Sequence, residues 1–489
     1  MSTSTSSQPI SRHIARGAAV NAFGLVSKAI STPLLYILLT RLFGKVPLGT
    51  FFIAYNFIEI VGALGTSGFV DGGILYASRY AHREEDKERL HSVIRTLLVL
   101  TLGTGVLLFT FVVIGAPFLV ERFYPDYPGL TPALQVLAFT LPFESLTRIA
   151  VALPKAHLKM GPEVWVLNII APGLTMVFSI LFYLLGWKVT GISISFALTY
   201  AITLLIAVRY IQRMLDLRAL LVRPKRSEPI GPILTFVIPQ NLNQALNRFI
   251  SSMDVVMLGA LGAGPGEVAF YGLGAQIVRN VRQVKLVFSG SYNPVIARYH
   301  HEGRLNELNE TLALVSRWSI ALGMPALFAV SFFRRELLQL FDPRFTQDPV
   351  FMFFLLVNPF LSCAVGMSGN VLVMAGYSRW NLINSLLIGG LNFFFNLLMI
   401  PRFHLLGAAV ATALAGTIVS MLQVIEARVL VRVRVPWAAI LPWIFLGFLL
   451  FSWPFLLVDT AIWWVKFLIA APLLALYATV YFWRHRKEC

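Results

Sequence analysis

The chain has 489 residues, 57% of them hydrophobic and only 13% charged. No single soluble core hides an apolar share of that size. The apolar runs recur along the whole chain, so a separate soluble catalytic domain is also excluded, and the solvent that remains is a bilayer crossed by helices of about 20 apolar residues each. The net charge is +17, from 40 Lys and Arg against 23 Asp and Glu. Its sign suits a membrane protein, whose cytoplasmic loops favour Lys and Arg, and it implies no nucleic-acid partner.

Taken in order, residues 1–16 open with the polar, low-complexity stretch MSTSTSSQPIS and read as a disordered cytoplasmic tail. The run that follows Arg12 and Arg16 is too long for a signal core and reads as an uncleaved first span. Hydropathy predicts fourteen helices: 17–42, 47–76, 93–120, 131–153, 163–186, 189–211, 232–261, 267–297, 312–333, 350–375, 379–400, 404–427, 436–457 and 461–483. Most of the basic residues then fall on one side, among them Arg79, Arg83, Arg89, Arg218, Lys225, Arg428 and Arg486, and few, such as Lys45, Lys188 and Arg402, on the other. That bias places both termini in the cytoplasm. Loops on both faces are short.

The second half echoes the first. Ser78-Arg79-Tyr80-Ala81-His82 is matched by Ala297-Arg298-Tyr299-His300-His301, and Phe123-Tyr124-Pro125-Asp126-Tyr127 by Phe341-Asp342-Pro343-Arg344-Phe345. Pro142-Phe143 pairs with Pro359-Phe360, and Trp165 with Trp380, each between equivalent spans. The expected fold is an all-α polytopic membrane protein with fourteen transmembrane helices. It has an N-terminal lobe over 17–212, a cytoplasmic linker over 213–231, a C-terminal lobe over 232–428, and two further helices with a cytoplasmic tail over 429–489. Six helices per lobe is an even number, so the lobes form a parallel repeat about an axis along the membrane normal, an arrangement that puts a transport path between them.

Five cations fall inside the predicted spans: Lys28, Arg248, Arg279, Arg282 and Lys285. Each costs roughly 2.5 to 3.5 kcal/mol at the bilayer centre when it faces lipid, so these five are expected to face water or anions. Arg279, Arg282 and Lys285 recur every three residues, with Gln276 and Gln283 close to the same helical stripe. Glu59 and Asp254 are the clearest acids at that depth. Five cations against two acids point to an electropositive cavity for an anionic head group, with Glu59 orienting one of the cations. The bland reading is internal pairing or snorkelling to the surface.

Asn392 and Asn396 lie four apart on one helical face and Thr412 follows in the next span. With Asp254, their oxygens suit a small hard cation, although interhelical hydrogen bonding accounts for the same residues. Prolines 33, 142, 239, 294, 325 and 359 lie within spans, as is ordinary for membrane helices. His300 and His301 would diverge on a helix, Cys363 and Cys489 form no metal or disulfide motif, and no phosphate-loop pattern is present. No cofactor is expected beyond Na+ or H+ as a coupling ion.

The opening Arg16-Gly17-Ala18-Ala19-Val20-Asn21, the run Leu39-Thr40-Arg41-Leu42-Phe43-Gly44 followed by Leu48-Gly49-Thr50-Phe51, and Asn396-Leu397-Leu398-Met399-Ile400-Pro401 leading to Leu406-Gly407-Ala408-Ala409-Val410-Ala411-Thr412 resemble polysaccharide-biosynthesis flippases of the Wzx type. These belong to the multidrug/oligosaccharidyl-lipid/polysaccharide exporter superfamily. The resemblance implies twelve core helices in two bundles and no enzymatic activity. It further implies alternating access that moves an undecaprenyl-pyrophosphate-linked oligosaccharide, as in O-antigen or exopolysaccharide pathways, from the cytoplasmic to the outer leaflet of a bacterial inner membrane. A monomer working beside glycan polymerase and export proteins is the implied assembly. The superfamily's lipid II flippases are similar in a sodium site whose pattern maps onto Asp254, Asn392, Asn396 and Thr412, with the Ala408 carbonyl as a backbone ligand; Asn396 stands where that pattern has an acid.

Three other readings have separate signatures. A lipid II flippase shares the architecture and differs in its glycan. A multidrug antiporter of the superfamily uses a first-helix carboxylate, whereas this first span carries Lys28. A membrane-embedded glycan polymerase needs a large outer-face loop, which the predicted topology lacks.

Overall fold

The computed structural model describes residues 7–80, 87–157, 161–212, 229–451 and 463–484, and these contain no strand. The expected tail at 1–6, the linker at 213–228 with its five basic residues, and the end at 485–489 lie outside the described residues. Each predicted span is helical over most of its described residues, with breaks at 64–66, 282 and 365–366 among others. The first helix, α1 (Ser7–Phe43), starts ten residues ahead of its apolar run, so that residues 7–16 are helical.

Two compact units make up the chain, one comprising Met1–Ala260 and Gly264–Ala269, the other Leu261–Ala263 and Phe270–Cys489. In the first unit, α2 (Lys45–Ala63) and α3 (Ser67–Tyr80) form one broken span. They are followed by α4 (Lys87–Phe123), α5 (Leu130–Ala138), α6 (Thr140–Ala152), α7 (Gly161–Leu184) and α8 (Val189–Gln212). The long α9 (Ile230–Ala260) packs along α2 and α3 and so belongs to this unit.

The second unit takes most of α10 (Pro265–Val281), then α11 (Gln283–His301), α12 (Leu305–Phe332) and α13 (Arg334–Phe341). Next come α14 (Phe351–Ala364) and α15 (Met367–Met374), bent by 52° into one broken span. The unit closes with α16 (Ser378–Glu426), α17 (Trp437–Phe451) and α18 (Trp463–Arg484). The backbone of α16 leaves helical geometry at His404 (φ 48°), three residues after Pro401, so one continuous assignment contains two predicted spans.

Among the described residues, eight helical segments are long and apolar enough to cross a membrane, nine if the bent pair counts as one. The cation-bearing α9, α10 and α11 are not among them.

The apolar exposure runs opposite to that of a soluble protein. On α4, Leu107, Phe111, Ile114 and Phe118 are exposed, while Leu108, Val112 and Ala116 are buried. The exposed set repeats at helical spacing, so one entire face is apolar and outward, as lipid contact requires. Hydroxyl groups in this apolar setting bond back along their own helices. Thr50, Thr66, Thr147, Thr175, Ser193 and Ser195 each donate to the carbonyl four residues earlier, which satisfies these donors within their own helices.

Small residues bring helices close. A Cβ on Gly49 would stand 1.7 Å from the Pro265 carbonyl oxygen. At the start of α3, the Gly68 N–H donates to Asn241 Oδ1 of α9 at 2.7 Å, satisfying a helix-end donor across the helix pair. A core of Phe69, Ile94, Leu97, Val151 and Val237 fills the first unit at this end. In the second unit, Tyr292, Leu308, Leu312, Val371 and Ala427 form a comparable core.

Candidate functional site

Within the first unit, α2, α5, α6, α8 and α9 surround an open cleft with about 570 Å³ of empty space including its mouth. Polar side chains from four helices line it, where membrane helices are ordinarily apolar. Glu59 and Tyr55 come from α2, Glu144 and Arg148 from α6, Tyr200 from α8 and Arg248 from α9.

Each residue is placed by simple helical spacing. Tyr55 and Glu59 lie one turn apart on α2, and the Tyr55 hydroxyl donates to Glu59 Oε1 at 3.1 Å. The other oxygen, Oε2, receives Arg248 Nη1 at 2.9 Å. On α6, Glu144 and Arg148 repeat the one-turn spacing, and Arg148 Nε donates to Glu144 Oε1 at 2.7 Å. Tyr200 interacts electrostatically with Glu144. At the foot of the cleft, Thr66 and Ser145 share a hydroxyl–hydroxyl bond of 2.8 Å.

Lys28 of α1 interacts electrostatically with Arg148, Arg248, Glu59 and Glu144, and it makes no hydrogen bond or ion pair among the described residues. The cluster therefore holds three cations and two carboxylates. Its excess positive charge lies inside a shell of apolar helices, where water screens it poorly and an anion is strongly favoured.

The expected residues Arg248 and Glu59 thus meet at one cleft, and Lys28 lies within electrostatic range of them. Glu144, Arg148, Tyr55 and Tyr200 were missed by sequence reasoning. Arg148 lies five residues from the predicted end of its span, close enough for hydropathy to place it at the cytoplasmic surface. The signal available was the pairing of Glu144 and Arg148 at i,i+4 on the face that also carries Ser145.

The cationic stripe belongs to the second unit. The helix expected over 267–297 is interrupted at Arg282, between α10 and α11, so the stripe straddles a joint. Arg279 donates to Gln276 Oε1 at 2.6 Å. Arg282 and Lys285 have no carboxylate partner among the described residues. The side chain of Gln283 lies outside the described residues.

The expected ion ligands fall into two sets. Asn392, Asn396 and Thr412 meet in the second unit, where Asn392 Oδ1 accepts from both Asn396 Nδ2 and Thr412 Oγ1 at 3.3 Å. Ala408 is fully buried on the same arm of α16. Asn358 adds a contact that sequence reasoning missed, donating to the Thr412 carbonyl at 3.0 Å across a gap that Gly416 leaves open. Asp254, buried on α9, belongs to the first unit. Among the described residues no group of three or more His, Cys, Asp or Glu side chains gathers for a metal ion.

Two further charged groups were also missed. Lys466 of α18 is 1% exposed and reaches Glu336 Oε1 at 2.9 Å, with its ammonium over the Phe332 ring. Beside it, Arg334 grips both oxygens of Asp348 at 2.8 and 2.9 Å. Burial raises the Asp348 carboxyl, but the hydrogen bonds from Arg334 and Arg335 outweigh it and hold the group below the usual carboxylate range.

No curated protein sequence matches the chain. Its fold is similar to that of the lipid II flippase MurJ in an inward closed conformation, with a TM-score of 0.69, 13% identity, and coverage of 96% of this chain and 99% of that one. An inward-facing multidrug resistance MATE transporter of the MOP superfamily superposes with a TM-score of 0.68 at 16% identity, covering 84% of this chain and 98% of that one. The outward-facing conformation of such a transporter gives 0.61 at 16% identity, over 86% and 95%. Identities this low carry the fold alone. The sequence itself matches the family model described as polysaccharide biosynthesis protein over residues 14–300. With more than half of the chain so matched and the helical architecture shared with transporters of the MOP superfamily, the protein belongs to the polysaccharide biosynthesis protein family.

Proposed function

We propose that this multi-pass membrane protein is a flippase for a lipid-linked oligosaccharide, moving an undecaprenyl-pyrophosphate-linked glycan from the cytoplasmic to the outer leaflet of a bacterial inner membrane by alternating access. The observation that carries the reading is the charge cluster at the cleft, where Arg148 and Arg248, with Lys28 in electrostatic range, outnumber Glu59 and Glu144. A pyrophosphate is the anionic part of such a substrate. Arg forks match phosphate oxygens in a two-point geometry, and Lys supplies a mobile point charge. Arg279, Arg282 and Lys285 form a separate cationic surface in the second unit, proposed to attract an anionic head group.

No covalent chemistry is required of these residues. They bind and release, as befits a transporter family. Asp254, Asn392, Asn396, Thr412 and the Ala408 carbonyl are proposed as ligands of a coupling sodium ion, with proton coupling as the competing energy source. The chain is taken to act as a monomer beside glycan polymerase and export proteins.

Purified protein in proteoliposomes, supplied with a fluorescent lipid-linked oligosaccharide on one leaflet, tests the reading. Protein-dependent transfer to the other leaflet is expected. Transfer at the rate of protein-free vesicles across several glycans would refute it. The likeness to the lipid II flippase favours one second reading, peptidoglycan-precursor flipping. Complementation of a strain lacking its own lipid II flippase separates the two.

A further inference from the structure

We infer that Glu59 and Glu144 determine specificity, acting as internal anions that a ligand must displace, and that they thereby exclude the singly charged phospholipids of the surrounding bilayer. The inference rests on the proposed pyrophosphate-lipid substrate.

Each arginine of the cleft already has a carboxylate, and in each pair the carboxylate is the deeper member. The Arg248 side chain is 50% exposed against 15% for Glu59. Arg148 is 36% exposed against 18% for Glu144. Tyr55 holds Glu59 from within α2, and Tyr200 approaches Glu144 from α8. The carboxylates are therefore the fixed ends and the arginines the movable ones, open to phosphate oxygens arriving from the cleft.

Displacement sets a threshold. A ligand that takes one arginine replaces one charge-assisted bond by another of similar strength and leaves a freed carboxylate facing its own negative charge. A phosphodiester with a single charge gains little from that exchange. A pyrophosphate diester carries a charge on each phosphate, so it engages both arginines together and adds Lys28, which carries no carboxylate of its own. Specificity here comes from the cost imposed on the competitor, as such discrimination often does. The same carboxylates recapture the arginines when the head group departs, which limits residence time.

The experiment measures equilibrium binding of a polyprenyl-pyrophosphate-linked sugar, a pyrophosphate diester, to the purified full chain in detergent, with phosphatidylglycerol as competitor, and turnover in proteoliposomes. Glu59→Gln and Glu144→Gln keep size and hydrogen bonding and remove the charge. Each is expected to bind the probe about tenfold more tightly, to turn over more slowly, and to become sensitive to phosphatidylglycerol that does not compete in the native chain. Glu59→Asp and Glu144→Asp are expected to restore exclusion. A purely structural role predicts weaker binding and slower turnover together. Gln variants that remain monodisperse yet bind no more tightly, or phosphatidylglycerol competing equally with the native chain, would overturn the filter while leaving the flippase reading intact. A native chain that binds no polyprenyl-pyrophosphate-linked sugar overturns that reading and the filter with it.

Discussion

Arg148 and Glu144 lie one turn apart on α6, and two guanidinium nitrogens of Arg148, Nε and Nη2, converge on a single carboxylate oxygen at 2.7 and 2.6 Å. Glu144 also interacts electrostatically with Tyr200 of α8. Beside this pair, Arg248 and Glu59 join α9 to α2. One ion pair is thus local to a helix and the other tertiary, and this difference decides how each responds to substitution.

Replacing Arg148 or Lys28 by Ala should reduce transport of the lipid-linked oligosaccharide about 10- to 100-fold, the worth of one or two charge-assisted hydrogen bonds, with little change in thermal stability for Lys28→Ala and some loss for Arg148→Ala, which strands Glu144. Arg248→Ala should lower transport similarly and also lower the unfolding temperature, because it removes a tie between two helices. Parallel transport and thermal-shift measurements separate the effects. Transport at native rates in Arg148→Ala would remove the cleft from the mechanism.

Arg282→Ala and Lys285→Ala should each slow transport without unfolding the chain, since neither side chain has a carboxylate partner to strand among the described residues. Proteoliposome assays on variants matched for insertion check this. If stability rather than transport falls, the stripe is structural.

For the proposed sodium site, flipping by the native chain should accelerate with an imposed sodium gradient, and Asp254→Asn should abolish that response. Equal rates with and without the gradient would discard sodium coupling and leave a proton- or potential-driven cycle.

Lys466→Met should destabilise the protein by roughly 3 kcal/mol, because removing one member of a buried ion pair strands the other. The double variant with Glu336→Gln should recover much of the loss. Denaturation in detergent, followed through the double-mutant cycle, measures the coupling.

The Arg334–Asp348 pair makes an acid-sensitive contribution. The Asp348 carboxyl is lower in the folded chain than its ordinary value of 3.8, so its stabilisation is fully present above that value and is lost as pH falls through the lowered one. Asp348→Asn should remove this step from the acid end of a stability profile measured between about pH 2 and pH 6, and should lower stability at neutral pH. An unchanged acid limb would assign the step to other carboxylates.

The sequence by itself determined the solvent, the helical class and the family. Its apolar runs leave no other solvent, and Lys28, Arg248 and Glu59 stood out because they interrupt those runs. Hydropathy measures how residues partition along a helix axis, however, and carries little about which neighbour a side chain faces. Arg148 and Lys466 lie near the ends of apolar runs and read as surface charges, whereas packing turns Arg148 into the cleft and seals Lys466 against Glu336 and Phe332. Helix order likewise did not tell that α9, with Arg248 and Asp254, packs into the first unit, leaving Asn392, Asn396 and Thr412 in the second. Those placements depend on close contacts such as Gly49 with Pro265 and Gly416 with Asn358, where the absence of a side chain decides how near two backbones come and which polar groups then meet.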